Sequence, residues 1–167
     1  MRQRVVALAA AVAVLAIAPA HAGAAPSSSQ RLFRGMLLED PGTTDSIKRL
    51  LRSGGGFVDP RILFADLTGD RRSDAVVLVN SGGSAGAVAL YVFSTQLAGG
   101  KSGPLRAVFH SQSLFRASAR VTGGVLSYRS PRYAAGDDLC CPRSSLERRL
   151  RWSSRRGRFT VGAARRV

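Results

Sequence analysis

Short apolar runs separated by glycine-rich turns constrain this chain more than any other feature, because they leave little room for helices. Ile62-Leu63-Phe64-Ala65 and Ala75-Val76-Val77-Leu78-Val79 are continuous apolar runs of buried-strand type. Ser81-Gly82-Gly83-Ser84-Ala85-Gly86 turns the chain into Val88 to Phe93, rich in Val, Tyr and Phe. From Leu105 to Gln112 the pattern alternates, with Leu105, Ala107 and Phe109 on one side and Arg106, Val108 and His110 on the other. Ala117 to Val121 leads through Gly123-Gly124 into Val125 to Tyr128, a hairpin signature. Leu146, Leu150 and Trp152 share one strand face and Glu147, Arg149 and Arg151 the opposite one, before Arg155-Arg156-Gly157 turns into Phe159 and Val161.

One helix is expected in this domain. Thr43-Thr44-Asp45 supplies N-cap candidates, Ile47, Leu50 and Leu51 fall on one face, and Gly54-Gly55-Gly56 ends it. Strands in sequence joined by short turns predict an α+β fold. It is a mainly antiparallel meander sheet with one short N-terminal helix, one sheet face being covered by that helix.

Ahead of this domain stands a leader with the three parts of a secretory signal. Arg2 and Arg4 give a positive start, Val5 to Ala18 carries no charged or polar side chain, and Pro19 breaks that helix. Ala20-His21-Ala22 places small residues for cleavage before Gly23, with Ala18-Pro19-Ala20 as a competing site. A membrane span needs roughly 18–20 apolar residues, and this run is shorter. The expected organisation is a signal peptide over residues 1–22, a flexible linker over 23–31, and a single domain over 32–167 with an Arg-rich C-terminal end. No cysteine follows the cleavage site to carry a lipid, and no transmembrane anchor is expected after cleavage. Export places the protein outside the cytoplasm, secreted or at the cell envelope.

Removing Arg2 and Arg4 with the leader leaves 23 Lys and Arg against 10 Asp and Glu, a formal charge of +13. Such a balance points to anionic partners, here envelope polymers or lipid head groups. Few aromatics are interleaved with the arginines to stack bases, and export removes most nucleic acid from reach, so no dedicated nucleic-acid site is expected. Only Lys48 and Lys101 are lysines. Arginine in this excess, with abundant Ala and Gly, is also what a GC-rich genome writes by default.

The loop Asp66-Leu67-Thr68-Gly69-Asp70-Arg71-Arg72-Ser73-Asp74 carries oxygen ligands at its positions 1, 3, 5 and 9. Asp66, Thr68, Asp70 and Asp74 are thereby candidate calcium ligands, as in loops whose alternate side chains point at one hard cation. Arg71 stands where the loop glycine should follow the third ligand, and Val77 stands where a bidentate Glu is usual. The competing expectation is a tight turn in which Asp66 and Asp70 cap backbone N–H groups and pair with arginines. No other cofactor is implied.

Cys140 and Cys141 are adjacent and are the chain's two cysteines. Consecutive Cα atoms lie about 3.8 Å apart, below the usual disulfide span, so a bridge between them closes a tight ring. A vicinal disulfide in a turn before Pro142, a thiol switch, and separate links to another chain are the readings open to them, with inert thiols as the remainder. Tyr133, Asp137 and Asp138 stand close by as a possible binding loop. His110, the only histidine after the leader, lacks a recognisable catalytic partner. Gly100-Lys101-Ser102 resembles the end of a phosphate loop, but Thr95 replaces its first glycine and Gly103-Pro104 follows where a helix should begin.

The stretch Ala65-Asp66-Leu67-Thr68-Gly69-Asp70, then Asp74-Ala75-Val76-Val77, then Ser81 to Gly86 resembles exported actinobacterial proteins of the LppP/LprE lipoprotein type. A second matching piece runs from Tyr133 through Gly136-Asp137-Asp138-Leu139-Cys140-Cys141-Pro142-Arg143-Ser144. The resemblance implies an envelope or secreted protein and brings no catalytic residues with it. The chain departs from it by lacking a lipidation cysteine. The leading expectation is an exported non-enzymatic binding or structural module. A calcium-stabilised adhesion-like domain and a thiol-redox protein are the alternatives.

Overall fold

The computed structural model describes residues 25–167; the leader and its cleavage sites lie outside the described residues. The fold is α+β and mostly antiparallel sheet. Two helices come first, α1 (Ser28–Glu39) and α2 (Asp45–Arg52). α2 is the helix expected from Ile47 and Leu51, both of which it buries. α1 begins inside the segment whose composition reads as a linker, and two helices replace the expected one. Its start is set by a capping box: Ser27 Oγ accepts from Gln30 N (3.2 Å), and Gln30 Oε1 accepts from Ser27 N (2.8 Å). Phe33 and Leu37 then fall one turn apart and are buried, worth roughly 1.5–3 kcal/mol each. Gln30 Nε2 donates to Val58 O (2.8 Å), tying the helix to the sheet.

The first sheet contains β1 (Phe57–Val58), β2 (Leu63–Ala65), β3 (Asp74–Asn80), β4 (Ala87–Gln96) and β5 (Ser102–Gln112). β1 and β2 pair with the same edge of β3, Val58 opposite Val79 and Leu63 opposite Val76. They are two pieces of one edge strand, interrupted at Asp59-Pro60, where proline lacks the N–H a ladder needs. The second sheet contains β6 (Ser118–Thr122), β7 (Val125–Arg132), β8 (Ser144–Ser153), β9 (Arg158–Val161) and β10 (Arg165–Arg166). β9 and β10 likewise share one edge of β8. Each sheet is thus an antiparallel meander in chain order.

The meander is split into two stacked sheets, which corrects the expectation of one sheet with one covered face. Ala75, Val77 and Val79 of β3, with Tyr91 and Phe93 of β4, face Phe33, Leu37, Ile47 and Leu51 of the helices. Val76, Leu90 and Val92 face the other way, onto Leu126, Tyr128, Leu150 and Phe159 of the second sheet. The order of layers is helices, first sheet, second sheet. A sheet covered on both faces needs apolar side chains on both, which is why β3 and β4 read as unbroken runs. The second sheet covers only one face, so Leu126 and Tyr128 are buried while Arg129 is exposed.

β5 holds a further correction. Val92 pairs with Phe109 but Phe93 pairs with Ala107, so Val108 is an extra residue in the ladder. That bulge moves Phe109 away from Leu105 and Ala107 and into the core between the sheets. His110 consequently sits on the helix side, its ring 6.0 Å from that of Tyr91.

Candidate functional site

The acidic turn closes the β2–β3 connection, and Ala65 opposite Asp74 fixes its ends. Asp66 accepts three backbone N–H bonds: Gly69 (2.6 Å) and Asp70 (3.2 Å) at Oδ1, and Arg71 (2.9 Å) at Oδ2. Asp70 Oδ1 accepts from Arg72 N (2.9 Å). Asp74 Oδ2 accepts from Leu67 N (2.8 Å) and Thr68 N (3.0 Å). Asp74 is 1% exposed, and that burial pushes its carboxyl above the usual carboxylate range, against the lowering effect of the Ser94 hydroxyl and the Leu67 N–H. Asp66, Thr68, Asp70 and Asp74 are therefore brought into one turn, and the three aspartate carboxylates cap it.

The expected pairing of Asp66 and Asp70 with arginines is not found among the described residues; Arg72 Nη1 donates instead to Ser102 Oγ (3.1 Å). Thr68 Oγ1 and Asp70 Oδ2 are buried without a hydrogen-bond partner. Arg71 adopts φ +65°, the left-handed conformation a glycine would take without strain. The turn thus closes with an arginine, not a glycine, at its left-handed position.

The second candidate is the β7–β8 loop. Cys140 and Cys141 are joined in a vicinal disulfide, their Cα atoms 3.8 Å apart, and both are exposed. Of the three residues expected to bind, Tyr133 and Asp137 are used to hold the loop. Tyr133 donates its hydroxyl to Leu139 O (2.9 Å). Asp137 Oδ2 accepts from Ala134 N (3.0 Å) and Arg143 N (3.2 Å), and its Oδ1 lies 3.2 Å from Arg143 Nε. Asp138 is exposed, and its carbonyl accepts from Cys141 N (3.0 Å).

Arg116, which the residue pattern did not single out, secures this loop. Its guanidinium donates to Leu139 O and to Ser84 O (2.9 Å), so it joins the Cys-Cys loop to the glycine-rich β3–β4 turn. Leu139 is left 69% exposed at the tip.

The third feature is the outward face of the second sheet. β8 places Glu147, Arg149 and Arg151 on that face, as their alternation implies, and the pairing adds neighbours from the other strands. Arg129 lies opposite Glu147, which lies opposite Arg165; Ser127 lies opposite both Arg120 and Arg149; Thr160 lies opposite Arg151. Glu147 is nearly buried beneath Arg129 and Arg149, with Nε–Oε distances of 2.7 and 3.4 Å. The Arg129 hydrogen bond is the main cause that holds its carboxyl below the usual range, with Arg149 adding to it. The signal for this face is the charge alternation of β6, β7 and β8, which strand registry joins into one surface.

His110 is exposed on β5. Gly100-Lys101-Ser102 runs from a short 3-10 turn directly into β5, so a strand follows where a phosphate loop needs a helix. Among the described residues no group of three or more His, Cys, Asp or Glu is placed to hold a metal ion. No helix among them is long and apolar enough to cross a membrane. Compared with known proteins, the chain matches no family model, no curated protein and no solved structure.

Proposed function

We propose that this chain is an exported, non-enzymatic binding module of the cell envelope, held to anionic envelope material by its positive charge. The observation that carries this reading is the outward face of the second sheet. It exposes Arg120, Arg129, Arg149 and Arg151, while its one central carboxylate, Glu147, is already paired. Export is supported by the leader pattern, by the resemblance of the acidic turn and Cys-Cys-Pro loop to LppP/LprE-type proteins, and by a disulfide suited to an oxidising compartment.

The test is co-sedimentation of the leader-free protein with isolated envelopes of an actinobacterium. Sedimentation at low salt and release at roughly 0.5 M salt are expected, because screening shortens the reach of charge. A protein that stays in the supernatant at low salt would overturn the reading.

A second reading is a calcium-stabilised domain, favoured by Thr68 Oγ1 and Asp70 Oδ2 lying buried without partners in the acidic turn. Thr68 and Asp70 would then offer the ion their unpartnered oxygens, beside Asp66 and Asp74, whose carboxylates cap backbone N–H groups, and the ion would neutralise the turn's charge. Calcium at about 100 times its Kd would add roughly 2.7 kcal/mol of stability. A melting temperature unchanged by millimolar calcium would sink it.

A further inference from the structure

We propose that the open face of the second sheet binds a linear anionic polymer lacking aromatic bases. This rests on the charge-retention reading above and assigns its surface and ligand class. The face is built by registry. Arg120, Arg149 and Arg151 alternate with Ser127 and Thr160 across paired strands, and Arg158, opposite Ser153, extends the row along β9. At strand spacings of about 4.8 Å and rises of about 3.4 Å, β6 to β9 offers a surface of roughly 14 by 20 Å. That spans several repeats of an extended chain.

Two adjoining depressions of about 230 and 250 Å³ lie on this face, sharing Arg120, Ser127 and Arg129. Arg129 and Arg149 contact Glu147 through Nε. Their terminal amines are therefore left to a ligand. Glu147 sets the direction of both guanidinium forks, which lowers the ordering cost of binding. A guanidinium fork matches phosphate or carboxylate oxygens two at a time.

The same geometry separates this ligand class from its competitors. Trp152, Phe159 and Tyr128 point into the core between the sheets, so the face offers no ring on which a base could stack. Val125 and Val167 are the exposed large apolar side chains on this face, six residues apart along β8 through their partners Arg151 and Ser145. Two separated valines are a poor wedge for a bilayer, which interfacial binding needs alongside charge. Charge and shape both favour a flexible polymer lying along the sheet.

The experiment uses the leader-free protein and polyphosphate as probe, with phosphatidylglycerol vesicles and a mixed-sequence single-stranded oligonucleotide as comparison arms. The face variant combines Arg120→Gln, Arg151→Gln and Arg158→Gln, none of which holds Glu147. The control combines Arg31→Gln, Arg49→Gln and Arg52→Gln in the helix layer, beyond the far side of the first sheet, and removes the same charge. The face variant should weaken polyphosphate binding at least about tenfold near 100 mM salt and flatten the salt slope by about 2; the control should change affinity less than about threefold. Unshifted melting curves would show that both variants fold.

Equal weakening in the two variants would overturn the surface assignment while leaving charge retention standing. Wild-type protein that binds no polyphosphate at low salt would overturn the polymer itself; envelope co-sedimentation would then decide separately whether charge retention survives. Tighter binding to the vesicles or the oligonucleotide than to polyphosphate would overturn the ligand class.

Discussion

Asp74 gives the sharpest test of how the acidic turn is held. Its Oδ2 accepts from Leu67 N and Thr68 N at 2.8 and 3.0 Å, and it lies at the start of β3, 1% exposed. Asp74→Ala removes the acceptor and leaves those N–H groups unpaired. A buried orphaned donor costs about 1–3 kcal/mol, and the part-buried one less, so the loss should total about 3 kcal/mol. For a domain of this length that is a fall of about 10 °C in melting temperature.

Asp74→Asn keeps a carbonyl oxygen for both donors and removes only the buried charge. At pH 7 it should stay within about 1 kcal/mol of wild type. The pH dependence has a defined sign. Because the folded pKa is raised above 3.8, the folded state holds this proton more tightly than the unfolded chain. The associated stability is full below pH 3.8 and is lost as pH rises through the folded value. Acidification should therefore favour wild type relative to Asp74→Asn. Melting curves for the three proteins between pH 3.5 and 7 read both effects. If Asp74→Asn falls as far as Asp74→Ala at pH 7, the charge itself is required and the backbone-capping account is wrong.

Arg71→Gly should raise stability by about 0.5–1 kcal/mol, since relief of a left-handed arginine outweighs glycine's entropy cost; a destabilised variant in thermal melts would refute strain at this turn. Glu147 should contribute oppositely to Asp74. Its folded pKa is lowered from 4.5, so its stabilisation is present above that value and lost as pH falls through the folded one. Glu147→Gln should flatten the acid side of the stability profile, and an unchanged profile would remove Glu147 from the account. Asp137→Ala should free the β7–β8 loop, costing about 1–2 kcal/mol and exposing it to limited proteolysis. Cleavage rates equal to wild type would show that Asp137 does not hold the loop.

The sequence made the strands legible because β3 and β4 are buried on both faces and leave unbroken apolar runs. It also revealed α2, whose Ile47 and Leu51 both face the core. α1 was hidden by Ser27-Ser28-Ser29-Gln30-Arg31, where serines read as linker although Ser27 and Gln30 form a capping box. The split into two sheets was encoded in the contrast between β3, apolar on both faces, and β7, where Leu126 and Tyr128 alternate with Ser127 and Arg129. The bulge at Val108 left no local signature, and it moved Phe109 to the other face. Among site residues, the acidic turn was legible as a cluster, but which atoms its carboxylates bind depends on backbone closure. Arg116 is placed by contacts between the β5–β6 connection and two other loops, and the Arg120–Arg149 row by registry between strands; one-dimensional spacing carries neither.

The most direct test of the polymer-binding face is NMR of the arginine Nε–Hε groups during titration with polyphosphate. Shifts concentrated at Arg120, Arg129, Arg149 and Arg151, with Arg31, Arg49 and Arg52 unmoved, are the predicted result. Shifts spread evenly over all of these arginines, or confined to the helix layer, would contradict it.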